Sequence, residues 1–261
     1  MKRLFCSGVC ALSMAATFAL LSTNVAHADN TLNITYFTIS ASDPDAGTLC
    51  CGVSDNEVQS LLGPDGMPVL NTGMTGAPVP TDVNSGTGEL TYWDPSLNSH
   101  VTQTGTAVVD IPFINDSFFA PNGTGTCDGS APGCYGFQSA ILSGTIDVPT
   151  TETISFNVLS DDNAFVYLDG TNVCDDGGVH GAASTPCTTS TISAGDHTIE
   201  VFYDDLDPTA AELEFYITTE GVTTSPPPST GVTPEPGSFV LLSSGLAVIL
   251  FTMRRKFARA A

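Results

Sequence analysis

Between residues 30 and 217 the chain is a succession of short runs in which apolar and polar residues alternate, and helical spacing is scarce. Thr153-Ile154-Ser155-Phe156-Asn157-Val158-Leu159 alternates strictly, the signature of a strand with one face buried. His197 to Tyr203 (HTIEVFY) and Ala211 to Ile217 (AELEFYI) repeat the pattern, and Asn33 to Ile39 and Thr106 to Ile111 read as further strands. Ala164 to Leu168 (AFVYL) is a continuous apolar run that closes on Asp169-Gly170, a hairpin turn. Only Val58 to Leu62 admits a turn of helix. No internal repeat is visible. Short strands punctuated by Gly, Pro and Asp over about 190 residues predict one all-β domain, a β-sandwich or jelly roll, over 29–217.

The two ends break this pattern. Lys2-Arg3, the apolar stretch Leu12 to Leu21 and the small-x-small Ala26-His27-Ala28 have the order of a signal peptide over 1–28. At the other end, residues 218–233 (TTEGVTTSPPPSTGVT) are rich in Pro, Ser, Thr and Gly, and Pro226-Pro227-Pro228 favours extended polyproline II, so a semi-rigid stalk is expected. Gly237 to Met253 is an uncharged apolar run of 17 residues, just long enough for a transmembrane helix. The basic cluster Arg254-Arg255-Lys256 follows at once and is expected to stay on the cytoplasmic side, leaving the domain outside.

Charge sharpens the picture. The chain carries 28 Asp+Glu against 6 Lys+Arg, and all six cations lie in Met1–Arg3 or beyond Met253. Apart from Glu235, every acid (28 − 1 = 27) falls between Asp29 and Glu220, in a body without a single Lys or Arg. Such a body has no means of displacing counterions from phosphates, which excludes nucleic-acid binding. It also disfavours chemistry that needs Lys or Arg, such as phosphoryl transfer or Schiff-base catalysis. Any carboxylate buried in it must be hydrogen-bonded, protonated or neutralised by an external cation.

Catalytic motifs are missing: there is no GxSxG, HExxH, phosphate-binding Gly-rich loop or Cys–His context, and no catalytic residue is assigned. Six cysteines follow the signal peptide, an even number that implies disulfides in an exported chain. Fifteen pairings are open for six cysteines. Local closure favours Cys127–Cys134 and Cys174–Cys187, leaving Cys50 and Cys51 either adjacent partners or paired elsewhere. No CxxC pair suggests zinc.

Pro234-Glu235-Pro236, an apolar helix and a terminal cluster containing Arg254 and Arg255 together resemble the PEP-CTERM sorting signal over 234–261. The resemblance implies transient residence in the inner membrane, processing by an exosortase near Pro-Glu-Pro, and delivery to the cell surface or extracellular matrix of a Gram-negative bacterium.

A second resemblance covers Gly144 to Ile217. A strand leads to Ser160-Asp161-Asp162, the next closes on Asp169-Gly170, and Asp175-Asp176-Gly177-Gly178-Val179-His180 follows. Then Gly195-Asp196-His197 opens a strand that ends in Tyr203-Asp204-Asp205-Leu206-Asp207. This order is similar to the protective-antigen (PA-fourteen) β-sandwich, and to its fibro-slime variant. In sugar-binding members two adjacent aspartates joined by a cis peptide chelate calcium, and the ion binds vicinal glycan hydroxyls. The matching pair is Asp161 and Asp162. In a trans strand neighbouring side chains face opposite ways, so an adjacent pair on one ion needs the backbone bent. Asp204, Asp205 and Asp207 would come from the second loop, although the adhesins use amide and carbonyl ligands there. Asp175 and Asp176 form a secondary candidate, weighed against a plain disulfide-closed loop. Asp169 reads as hairpin chemistry, and His180 as a packing residue, since calcium prefers oxygen.

The expectation is therefore an exported, calcium-dependent carbohydrate-binding or adhesion module. The alternatives are a structural matrix protein that binds no sugar, and a secreted polysaccharide hydrolase. Residues 30–143 match nothing recognisable.

Overall fold

The structure, a computed structural model, describes residues 30–49, 51–115, 118, 137–207 and 211–227. The expected signal peptide, the transmembrane helix 237–253, the sorting residues Pro234, Glu235, Pro236, Arg254 and Arg255, and Cys127 and Cys134 lie outside the described residues.

Eleven strands occur in the described chain: β1 (Thr31–Ile39), β2 (Val101–Asp110), β3 (Phe113–Ile114), β4 (Phe137–Val148), β5 (Glu152–Asp161), β6 (Asn163–Leu168), β7 (Thr171–Asp176), β8 (Ala183–Ile192), β9 (Gly195–Asp204), β10 (Glu212–Ile217) and β11 (Thr223–Ser225). The fold is all-β, and among the described residues there is no helix. One sheet runs β2-β1-β4-β9-β6-β7, with β11 also on β4; the other runs β3-β10-β5-β8. Every pairing is antiparallel.

The two sheets face one another across a core built from alternate residues. Ile154, Phe156 and Val158 of β5 and Leu213 and Phe215 of β10 meet Ile34, Leu142, Val166, Val201 and Tyr203 of the larger sheet. The other face of the larger sheet is also buried. Phe165 and Tyr167 of β6 and Phe202 of β9 pack beneath a long segment, 46–101, that supplies Val58, Leu70, Leu90, Tyr92 and Trp93. Its centre is Trp93, fully buried, with its indole N–H donating to Tyr203 O at 2.7 Å. Two covered faces explain why β6 is a continuous apolar run rather than an alternating one.

Within this covering segment the expected turn of helix at Val58 to Leu62 is replaced by extended chain. Val58 bridges to Leu70 and Leu61 to Thr171, because five residues cannot recover the cost of a helical nucleus when sheet partners are at hand. The Asp169-Gly170 hairpin forms as expected, with both residues at positive φ and Asp169 Oδ1 accepting the Thr198 N–H at 2.9 Å. Half of the supposed loop between Cys174 and Cys187 is strand, the end of β7 and the start of β8, and β8 tolerates Pro186 because it lies at a sheet edge. Strand β11 falls inside the segment expected as a stalk and pairs with β4, so the folded body runs past Ile217. Gly144 makes that possible: a Cβ there would sit 2.4 Å from Ser225 O and 2.5 Å from Leu32 Cδ2, where β11 takes over from β1 alongside β4.

Cys174 and Cys187 form the expected disulfide. It joins β7, the edge of one sheet, to β8, the edge of the other, and so closes one side of the sandwich. Closing a loop of this length stabilises by about 3 kcal/mol through the unfolded chain. Cys51 is also disulfide-bonded.

Candidate metal centre

The chain changes sheets at the acidic pair. Asp161 ends β5 in the smaller sheet and Asn163 begins β6 in the larger, so Asp162 is the single residue of the crossing. The Asp161–Asp162 peptide is cis, as the resemblance implied. Asp205 arrives from the end of β9, which lies beside β6. One carboxylate oxygen from each of Asp161, Asp162 and Asp205 falls within 4.8 Å of the others, and all three residues are buried.

Each carboxylate is held differently. Asp162 Oδ2 accepts the N–H groups of Leu206 at 2.7 Å and Asp207 at 2.8 Å, and its Oδ1 accepts that of His180 at 2.9 Å. It thereby ties the β7–β8 loop and the β9–β10 loop to the crossing. Two lone pairs on Oδ2 are used, while Oδ1 keeps one for another partner. Asp161 Oδ2 accepts only the longer bond from the Ala182 N–H, 3.3 Å, and the Asp161 carbonyl accepts from the Tyr203 hydroxyl at 2.6 Å. Asp205 Oδ1 is buried and meets no donor.

Three carboxylates this close in a dry site oppose one another's ionisation. Burial pushes Asp162 up to about 8, against the pull of its backbone N–H donors and with the Asp161 charge adding to the rise. Burial raises Asp161 to about 6 and Asp205 well above the ordinary range, the latter reinforced by Asp162 and Asp161. No Lys or Arg lies between Leu4 and Met253 to relieve this.

The remaining expected ligands are dispersed. Asp204 points away from Asp205, as successive strand residues must, and its Oδ1 accepts from Asn163 Nδ2 at 2.7 Å on the other side of β9. Asp207 gives its N–H to Asp162, and its charge adds to the repulsion on Asp161, but its carboxylate is not in the three-membered group. Asp175 and Asp176, neighbours on β7, are likewise turned apart and do not form a joint calcium turn. Asp176 is a strut: Oδ2 accepts from Ser160 Oγ at 2.8 Å and Oδ1 from Thr185 Oγ1 at 2.7 Å. Asp175 Oδ2 accepts the Val58 N–H at 2.9 Å. His180 contributes its backbone, as noted, and its ring Nδ1 lies 3.1 Å from Gly181 O.

Sequence reasoning missed Glu57, buried in the covering segment, and Asp45, buried just before it. Asp45 is saturated, accepting from Thr81 N and Oγ1, Asp82 N and Tyr92 Oη, and so anchors that segment. Nothing local in the sequence marks either residue.

The Asp161–Asp162–Asp205 group fits Ca²⁺. Calcium takes hard oxygen ligands and tolerates irregular geometry, and a buried carboxylate oxygen without a donor is the kind of group a cation satisfies. Asp161, Asp162 and Asp205 would hold it.

Residues 129–231 match the family model of the PA14 domain. No curated protein matches the chain. Among solved structures it is similar to a PA14 sugar-binding domain from an RTX adhesin, at 23% identity over 34% of this chain and 50% of that one, with a TM-score of 0.29. It is similar also to the PA14 domain of the MpAFP antifreeze protein, at 13% identity over 75% of this chain and 90% of that one, TM-score 0.33. A β-glucosidase from Kluyveromyces marxianus aligns at 16% identity over 46% of this chain and 12% of the enzyme, TM-score 0.29. The chain spans half the length of the adhesin domain that it matches. The family match falls on the strands that build the acidic centre, and the antiparallel sandwich around that centre is a PA14-type fold.

Proposed function

We propose that the protein is an exported carbohydrate-binding module, displayed at the cell surface or in the extracellular matrix, whose contact with glycan depends on calcium at Asp161, Asp162 and Asp205. The observation that carries this reading is the buried three-carboxylate group, which has no Lys or Arg beside it. A bound calcium ion offers open coordination positions to vicinal sugar hydroxyls. The chain's own part is to prepare the ligands. Asp162 fixes the two loops through three N–H bonds, Tyr203 fixes the Asp161 carbonyl, and Asp205 keeps an oxygen without a donor. The description of the adhesin's PA14 domain as sugar-binding supports the same reading.

A glycan array probed with and without chelator tests it. Binding should appear in millimolar Ca²⁺, vanish in EDTA and be lost in Asp161→Asn. Retained binding in EDTA contradicts the mechanism. Binding to no glycan under any condition favours a purely structural matrix role instead.

Export and sorting belong to the same proposal and rest on the tail. Pro234-Glu235-Pro236, the apolar 237–253 and Arg254-Arg255 support processing by an exosortase after passage through the inner membrane. Mass spectrometry of the protein recovered from the producing cell's surface should show a C-terminus near Pro234–Pro236. An intact Arg254–Lys256 tail on the surface protein would sink the sorting assignment.

A further inference from the structure

A second pair of acids meets in parts of the chain that the first group does not use. Glu57 comes from the covering segment and Asp175 from β7. Glu57 is only 1% exposed, and neither of its carboxylate oxygens has a hydrogen-bond partner. The Gly178 N–H beside it is given instead to Asn163 Oδ1.

Glu57 does not point into an apolar pocket. A Cβ added to Gly177 would lie 2.9 Å from Glu57 Oε2 and 3.0 Å from Asp175 Oδ1, so the two oxygens converge over one glycine. Asp175 Oδ1 is itself buried and without a donor, its other oxygen being spent on the Val58 N–H. Asp204 repeats the arrangement: Oδ1 accepts from Asn163, Oδ2 is buried and unpartnered, and Glu57 exerts the strongest of the charge repulsions on it. Three carboxylates thus present four orphaned oxygens in a body devoid of Lys and Arg. Each unpaired buried charge is costly, and Glu57 and Asp175 facing one another cannot both persist as bare anions.

We propose that Glu57 and Asp175 form a second divalent-cation site, for Ca²⁺. It shares no carboxylate with the group at Asp161, Asp162 and Asp205. Its oxygen-only donor set suits a hard cation. Its position gives it a structural task. Glu57 belongs to the covering segment and Asp175 to the sheet edge beneath, so the ion fastens one to the other at the Ser54–Gly177 bridge. It needs no access for a sugar, unlike the first site.

Calcium bound per chain, measured by mass spectrometry on full-length, detergent-purified protein equilibrated with Ca²⁺ and then desalted, tests this. Wild type should carry two ions, Glu57→Gln one and Asp161→Asn one. Asp175→Asn is the second variant, since an Asn oxygen can keep the Val58 N–H bond; near-ultraviolet circular dichroism identifies any variant that does not fold. Wild type with two ions and loss of one in Glu57→Gln or in folded Asp175→Asn supports the site. One ion that survives Asp161→Asn but not Glu57→Gln also supports it, while sinking the first site. Two ions in both folded Glu57→Gln and Asp175→Asn overturn it. So does a single wild-type ion indifferent to Glu57, which would mean that a shared proton, rather than a metal, settles the Glu57–Asp175 charge.

Discussion

Adding Ca²⁺ to metal-free protein should raise its melting temperature by about 5–10 °C. A ligand that binds only the native state at a hundred times its dissociation constant adds about 2.7 kcal/mol, and a domain of this size gains roughly 2–4 °C per kcal/mol. Two substitutions separate the roles of the acidic pair. Asp161→Asn removes a charge from the group while its amide oxygen can keep the long bond from the Ala182 N–H, so it should leave the metal-free protein almost unchanged and cut the calcium response by half or more. Asp162→Ala should do more. It strands the N–H groups of His180, Leu206 and Asp207, each an orphaned donor costing about 1–3 kcal/mol, so the melting temperature should fall even without calcium. Scanning calorimetry of the three proteins in EDTA and in calcium is the measurement. No calcium response in wild type, or an undiminished one in Asp161→Asn, would remove the metal from Asp161, Asp162 and Asp205.

The second large effect is a pH dependence opposite in sign to ordinary acid denaturation. In the folded, metal-free protein burial lifts Glu57 and Asp162 to about 8, and Asp161 and Asp175 to about 6, against ordinary values of 3.8 for Asp and 4.5 for Glu. Above pH 4.5 the unfolded chain has released these protons while the native state still holds them. The native state therefore binds more protons than the unfolded one, and stability falls as pH rises. The contribution of these groups is complete below about pH 4 and is lost progressively as pH climbs through 6 and then 8. In EDTA the melting temperature should be highest near pH 5 and decline steadily to pH 8.5. Calcium should flatten or reverse the decline, because the ion replaces the protons it displaces. A melting temperature in EDTA that is flat or rises between pH 5 and 8 would show that these carboxylates are neither as dry nor as crowded as the structure places them.

Both predictions follow from groups that differ in how far the sequence announced them. Asp161 and Asp162 were legible because an adjacent acidic pair between two strand patterns has a known counterpart, and because a strand cannot otherwise bring neighbours to one ion. The second loop was legible only as a set. Asp204 and Asp205 adjoin in sequence, and which one faces the pair depends on the phase of β9, fixed by its pairing with β6 and β4. Glu57 was invisible: it stands in a segment with little regular structure, 120 residues or so from its partner on β7, and only packing of that segment on the sheet brings them together. The same applies to β8, an edge strand whose Thr-rich stretch gives no apolar alternation because only Thr189 of it is buried. The helical turn expected at Val58 to Leu62 failed for the related reason that its partners, Leu70 and Thr171, are not local.

By itself the sequence determined the all-β class, most of the long strands of the sandwich and the Asp169-Gly170 hairpin, and it favoured the Cys174–Cys187 bridge. These depend on alternation, turn chemistry and short loop closure, all of which act over a few residues. It also determined that no Lys or Arg would be present to neutralise whichever acids were buried. Tertiary structure alone decided which acids those are. It gathered Asp161, Asp162 and Asp205 into one group and set Glu57 beside Asp175, and it left both oxygens of Asp176 and of Asp45 paired with donors. The physical reason is that a carboxylate's fate depends on its burial and on the donors and charges around it. In this domain those come from strands and loops far apart in the chain.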